Sequence, residues 1–192
     1  MKIAIIGNGN VGSGLANILS KTQHEVGTFG RADDVAKAVT EADIVIFATP
    51  YGAAAEIADQ ADFTGKIVID VSNPVTEDFS ALQLGTTTSA AEAIAALVPG
   101  AFVVKAFNTI FAQHYAGDLK LDGQPLQTFV AADDETARDT VKTLAAEAGF
   151  EPVDAGSLST ARQLEPLGFL NIQFGYVLGK GTEIAPRWQF SA

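Results

Sequence analysis

The sequence predicts an α/β protein of the doubly wound class, a mostly parallel sheet with helices on both faces, closed by a C-terminal helical segment. Three observations predict it. Short, nearly continuous apolar runs alternate with segments of helical periodicity, the connections between them are short and polar, and the first run ends in the glycine-rich string Gly7-Asn8-Gly9-Asn10-Val11-Gly12. Strands alternating with helices imply right-handed βαβ crossovers. A run that is apolar at nearly every residue suits a strand buried on both faces of a parallel sheet.

Along the chain, Lys2 to Ile6 reads as the first strand, and Val11 to Lys21 as a helix whose Val11, Leu15, Ile18 and Leu19 make one apolar face. Further strand-like runs are Glu25 to Phe29, Asp43 to Ala48, Lys66 to Val71, Ala101 to Phe107 and Leu126 to Ala131. Helical patterns lie between most of them, at Ala32 to Glu41, Ala53 to Ala61, Ser89 to Leu97 and Glu135 to Ala148. Thr49-Pro50 and Asn73-Pro74 follow strand runs directly, where a chain leaving the carboxyl edge of a sheet must turn. Leu158 to Gly179 is apolar and reads as helical, with Pro166 marking a kink or a boundary between two helices. The expectation is one domain over residues 1–192, in which 158–192 form a C-terminal extension that shapes the cleft.

The 192 residues suffice for one full α/β domain with a sizeable core. A formal net charge of −11 repels phosphate backbones and anionic lipid at long range, which argues against nucleic acid and membrane surfaces as partners. Absence of cysteine removes disulfides, thiolate nucleophiles and thiolate-bound metals, and fits a reducing compartment. The apolar run after Lys2 stops at Gly7, too short for a signal-peptide core, and no stretch approaches the ~20 apolar residues of a membrane span. A cytoplasmic location is therefore expected.

Glycine triplets arise by chance, so the position of this one carries the argument. It starts directly after a strand and opens directly into an amphipathic helix, as a Rossmann-type dinucleotide site requires. Gly7 permits the tight turn, Gly9 lets the backbone approach a pyrophosphate, and Gly12 lets helix and strand pack closely. The helix N-terminus offers free N–H groups and partial positive charge to the phosphates. An NAD site usually carries an acid at the end of the second strand to hold the ribose 2′-hydroxyl. Here that strand ends in Gly30-Arg31. A guanidinium suits a 2′-phosphate, so NADP(H) is the expected cofactor. The competing reading of Arg31 is an ion pair with Asp33 or Asp34.

Three strings beyond the fingerprint, together with Ala161-Arg162-Gln163-Leu164-Glu165, carry a family resemblance over essentially the whole chain. They are Phe47-Ala48-Thr49-Pro50, Asp70-Val71-Ser72-Asn73-Pro74 and Lys105-Ala106-Phe107-Asn108-Thr109. With them the chain resembles the deazaflavin-dependent NADP oxidoreductases, coenzyme F-420 (deazaflavin)-dependent, whose nucleotide domain is also similar to that of the STEAP metalloreductases. The resemblance implies that Ala48, Thr49 and Pro50 line the ribose and nicotinamide side of NADP. It also implies that Ser72, Asn73, Pro74, Ala106, Phe107 and Asn108 border the hydride-transfer cleft. The chain departs from the family at Gly30, where a small hydroxyl residue commonly precedes the arginine.

No side chain is singled out as catalytic. His24 falls at the start of the second strand, and no motif positions His114. Asp133-Asp134-Glu135 suits a helix N-terminus better than a metal. Hydride transfer between two ring systems needs neither nucleophile nor metal, because the cofactor carries the chemistry. The first expectation is thus an NADPH-dependent oxidoreductase that exchanges hydride with a flavin-like or deazaflavin acceptor as co-substrate. A non-catalytic NADP(H)-binding sensor or partner protein fits the same residues. So does a dehydrogenase of a small carbonyl substrate, with Lys105 as the available acid/base. Finally, Leu164, Leu167, Phe169, Leu170, Ile172, Phe174, Tyr176, Val177 and Leu178 are too apolar for a surface helix and point to a homodimer.

Overall fold

The computed structural model of the chain describes residues 1–84 and 86–191. Among them a seven-stranded sheet runs in the order β2-β1-β3-β4-β5-β8-β9, with β1 Lys2–Ile6, β2 Glu25–Phe29, β3 Ile44–Phe47, β4 Ile67–Asp70, β5 Phe102–Lys105, β8 Gln127–Ala132 and β9 Glu151–Asp154. The two-residue strands β6 Lys120–Leu121 and β7 Gln124–Pro125 form a separate hairpin. The first five strands are parallel. β8 runs antiparallel to β5, and β9 runs parallel to β8. The expected mostly parallel, Rossmann-like sheet is thus present.

The alternation of side chains along β1 shows how the sheet is covered. Ile3 and Ile5 pack with Leu15 and Leu19 of α1 (Asn10–Leu19) and with Val141 and Leu144 of α5 (Glu135–Glu147). Ala4 and Ile6 face the other way, toward α2 (Val35–Glu41), α3 (Ala54–Ala58) and α4 (Ala90–Leu97), whose Val39, Ile57 and Ile94 are buried there. Period-two burial with both faces apolar is what makes these strands read as continuous apolar runs. β2 lies on one side of β1 and β3 on the other, so the connections leaving the carboxyl ends of β1 and β3 diverge. In such sheets ligands bind in the crevice at that switch of direction.

Several boundaries differ from the sequence reading, each for a local reason. α2 begins at Val35 rather than Ala32, because the Asp34 carboxylate accepts the Lys37 N–H and caps the helix there. The fifth run stops at Lys105, two residues short of Phe107, which lies at φ +61° outside the extended region. No helix boundary occurs at Pro166: α6 runs from Ala161 through it to Ile172, followed by a π turn over Gln173–Val177. Over residues 180–191 the chain is irregular rather than helical, and it returns along the β8–β9 end. There the Gln127 side chain brackets the Trp188 backbone, its Nε2 donating to the Trp188 carbonyl at 3.0 Å and its Oε1 accepting the Trp188 N–H at 2.6 Å. Among the described residues no helix is long and apolar enough to cross a membrane.

Candidate functional site

The glycine-rich turn sits between β1 and α1, stitched to both neighbouring strands. The Gly7 N–H donates to the Phe29 carbonyl at 2.8 Å, and the Ala48 N–H donates to the Ile6 carbonyl at 2.9 Å. Gly7 has φ +117°, and a Cβ there would stand 2.4 Å from the Ala48 carbonyl oxygen. At Gly12 a Cβ would meet the Gly7 carbonyl oxygen at 1.9 Å, so helix and turn touch backbone to backbone. Gly9 differs: a Cβ there meets nothing within 4 Å. It is also the N-cap of α1 and provides no side-chain cap, leaving the first-turn N–H groups of the helix to an external acceptor. Open space in front of uncapped N–H groups is a cradle for an anion.

That cradle opens into a cleft of about 270 Å³ lined by Gly7, Asn8, Gly9, Gly30, Arg31, Ala48, Thr49 and Pro50, with Phe29, Val35, Ala53 and Ile57 as apolar wall. Arg31 is exposed in the cleft and has no ion pair among the described residues. Its two competing carboxylates are engaged elsewhere, since Asp33 accepts the Gly30 N–H at 2.7 Å and Asp34 caps α2. Gly30 is explained by its neighbour: a Cβ would come within 2.7 Å of the Asn8 Nδ2, so absence of the usual hydroxyl residue makes room for the Asn8 side chain. Asn10 and Val11 form the first turn of α1, at the mouth of the cradle. The wall residues Val35 and Ile57 escaped the sequence reading, in which they were unremarked positions within the helical patterns Ala32 to Glu41 and Ala53 to Ala61.

The other strings gather farther along the same edge, after β4 and β5, and are largely buried. Asn73 Nδ2 donates to the Asn108 carbonyl at 2.7 Å, while Asn108 Nδ2 donates to Asn73 Oδ1 at 2.9 Å and to the Leu164 carbonyl at 2.8 Å. α6 approaches this amide pair at Gly168, where a Cβ would lie 2.5 Å from Asn73 Oδ1. Ser72 and Pro74 are buried beside it. Ala106 is buried, and the Phe107 ring packs in the core against Phe150, with centroids 5.5 Å apart. The side chains of Ala106 and Phe107 therefore serve the core, and the turn they form, held at positive φ by the Phe107 N–H donating to Thr128 Oγ1 at 3.0 Å, is the feature at the edge.

The C-terminal pattern Ala161 to Glu165 is a docking device for α6. Arg162 grips Glu92 with two bonds, Nε to Oε2 at 2.9 Å and Nη2 to Oε1 at 2.6 Å. Glu165 accepts the first N–H groups of α4, from Ala90 at 2.9 Å and Ala91 at 3.2 Å. Burial pushes the Glu165 carboxyl above its ordinary range, against the pull of Lys105 and of the Ala90 N–H. The Arg162 guanidinium, helped by Ser89, holds the Glu92 carboxyl below it. Lys105, the one acid/base candidate, is fully buried between Asp70 and Glu165 and does not reach solvent. The histidines are held elsewhere: His24 Nε2 lies 2.7 Å from Glu147 Oε2 at the amino end of the strands, and His114 Nε2 lies 3.1 Å from the Ile184 carbonyl. Asp134 caps α5 by accepting the Ala137 N–H at 2.7 Å, as its sequence position suggests.

The chain is similar to several known proteins. The family model for NADP oxidoreductases, coenzyme F420-dependent, matches residues 29–74, from the end of β2 through Pro74. Rat metalloreductase STEAP3 (Rattus norvegicus) is 32% identical over 183 residues, covering 86% of this chain. The chain spans only 36% of that relative's length. Among solved structures, a protein of Arthrobacter sp. fb24 assigned as an F420-dependent NADP-reductase superposes with a TM-score of 0.87 at 26% identity, over 99% of this chain and 100% of the other. A hypothetical protein of Sinorhizobium meliloti superposes with a TM-score of 0.74 at 30% identity, over 84% and 88%. Sequence strings and fold run parallel to these likenesses: the chain is similar to the coenzyme F420-dependent NADP oxidoreductases, with the family model matching over residues 29–74.

Proposed function

We propose that the chain is an NADPH-dependent reductase that exchanges hydride between NADP(H) and a flavin-like or deazaflavin acceptor. The observation that carries the reading is the cradle in front of Gly9 and the uncapped start of α1, beside an Arg31 with no anionic partner among the described residues. In this reading the N–H groups of Asn10, Val11 and Gly12 take the pyrophosphate, and Asn8 and Gly30 shape the ribose side. Arg31 takes the 2′-phosphate with its fork of donors. Ala48, Thr49 and Pro50 flank the ribose toward the nicotinamide, and Ser72, Asn73, Pro74, Ala106, Phe107 and Asn108 hold the far end of the cleft. The bound nicotinamide supplies the hydride. The chain's own task is to orient two flat rings and keep water out, which explains why no general acid is required. We further infer that a second copy covers the apolar face left by the C-terminal segment.

The deciding experiment is a screen of deazaflavin, flavins, quinones and ferric chelates against NADPH, followed at the nicotinamide absorbance. Turnover with deazaflavin or flavin is the expected result. Tight NADPH binding with no turnover of any acceptor would replace this reading with that of a binding protein.

A further inference from the structure

Lys105 buries charge at the carboxyl end of β5, where the sheet is otherwise closed in by apolar core. It pairs in register with Asp70 on the adjacent strand, and its ammonium has three acceptors for its three protons: Asp70 Oδ2 at 2.7 Å, the Ser72 carbonyl at 2.5 Å and Glu165 Oε1 at 2.9 Å. All three charged side chains are at most 2% exposed. Removing such charges from water costs enough that apolar residues of similar volume often hold a core as well or better. What apolar residues cannot supply is direction.

Ser72 indicates where that direction is used. Its N–H donates to Asp70 Oδ1 at 2.9 Å and its carbonyl accepts from Lys105, so the charged cluster fixes the peptide groups on both sides of the residue. Its Oγ is buried and has no partner among the described residues. A buried hydroxyl without a partner is costly unless something external satisfies it. The next residue, Asn73, is held by Asn108, which in turn holds the Leu164 carbonyl. Two consecutive residues of α6 thus reach two consecutive residues of the turn after β4 through one intermediary each, Leu164 through Asn108 to Asn73 and Glu165 through Lys105 to Ser72.

We propose that Lys105, Asp70 and Glu165 are positioning residues that set Ser72 and Asn73 against the nicotinamide end of the dinucleotide, with Ser72 Oγ hydrogen-bonding its carboxamide. The assignment rests on the nucleotide reading above but concerns only the nicotinamide half. Anchoring of the phosphates at Gly9 and Arg31 is independent of the cluster.

The test compares binding of NADPH with binding of 2′-phospho-ADP-ribose, which lacks the nicotinamide. Ser72→Ala, Lys105→Met and Glu165→Gln should each leave the fragment within about twofold of wild type while weakening NADPH about tenfold, the scale of one good hydrogen bond. Ser72→Thr, which keeps the hydroxyl, should retain the wild-type ratio. Glu92→Gln loosens the clamp between α6 and α4 without touching the cluster, so it should lower the melting temperature and leave the ratio unchanged. Parallel losses for both ligands, or an unchanged ratio in every variant, would make the cluster merely structural and overturn the proposal. Should Lys105→Met fail to fold, Ser72→Ala decides, because it removes only a hydroxyl that bonds to nothing among the described residues. Wild-type protein that binds neither ligand would instead bring down the nucleotide reading, and this assignment with it.

Discussion

Arg31 shows how far one residue can be read. Its position at the end of β2 follows from counting outward from the glycine-rich turn, and its chemistry suits a 2′-phosphate where a carboxylate would be repelled. The structure adds that Asp33 and Asp34 are already bonded to backbone N–H groups. Arg31→Ala should therefore remove most of the preference for NADPH over NADH. The expected loss is about 1.5–3 kcal/mol, the worth of hydrogen bonds to a charged group, or about ten- to a hundredfold in affinity. Titration of both nucleotides against both proteins checks this, and an unaltered NADPH/NADH ratio in the variant refutes the role of Arg31. The conformational reasons for Gly7 and Gly12 were legible because they are local to one βα turn. The bonds of Lys105 were not, since they join it to residues 35 and 60 positions away. Nor was the reason for Gly30, which needs Asn8 brought alongside by strand pairing.

Elements were legible in proportion to how strongly burial marks them. β1, β3, β4 and β5 are buried on both faces and stand out as apolar runs, whereas β9, Glu151-Pro152-Val153-Asp154, carries a proline and two acids and escapes notice. It can do so because it is the sheet's edge, where a missing N–H costs no ladder bond. The loop between Val75 and Leu82 is built by polar side chains instead. The Asp78 carboxylate accepts from the Thr76 hydroxyl at 2.6 Å, the Ser80 hydroxyl at 2.8 Å and the Ser80 N–H at 3.1 Å. These bonds, the Thr76 hydroxyl foremost, pull its pKa from the ordinary 3.8 down to about 2. A depressed carboxyl stabilises the folded loop fully above the unfolded value and loses that contribution as pH falls through the folded one. Followed by NMR, the Ser80 amide should thus keep its neutral-pH shift through pH 4 and titrate near pH 2. A midpoint in the ordinary aspartate range would contradict the loop geometry. The loop also bears on the far end of α6, because the Phe79 carbonyl accepts from Gln173 Nε2 at 2.9 Å.

At the scale of the whole molecule, the C-terminal segment divides into a half that is spent and a half that is not. Leu164 and Gly168 are buried, Leu167 is half-buried against Leu164 and Phe129, and Phe169 and Ile172 are half-buried. Leu170, Phe174, Tyr176, Val177 and Leu178 remain 42–64% exposed. Five large apolar side chains within nine positions, on a protein with net charge −11, make a cluster of the kind that marks an interface rather than an ordinary surface. A second copy is the occupant that needs no further partner, and two-fold pairing would let the same face cover itself. Like charge on the two copies opposes association at long range, so the apolar contact must outweigh it, and added salt should strengthen the dimer by screening. Light scattering at micromolar concentration should give twice the chain mass of 20.0 kDa. Phe174→Asp, at an exposed position after α6, should return the particle to one chain without lowering its melting temperature. A wild-type particle of one chain mass at both low and high salt would defeat the dimer and leave the face to some other partner.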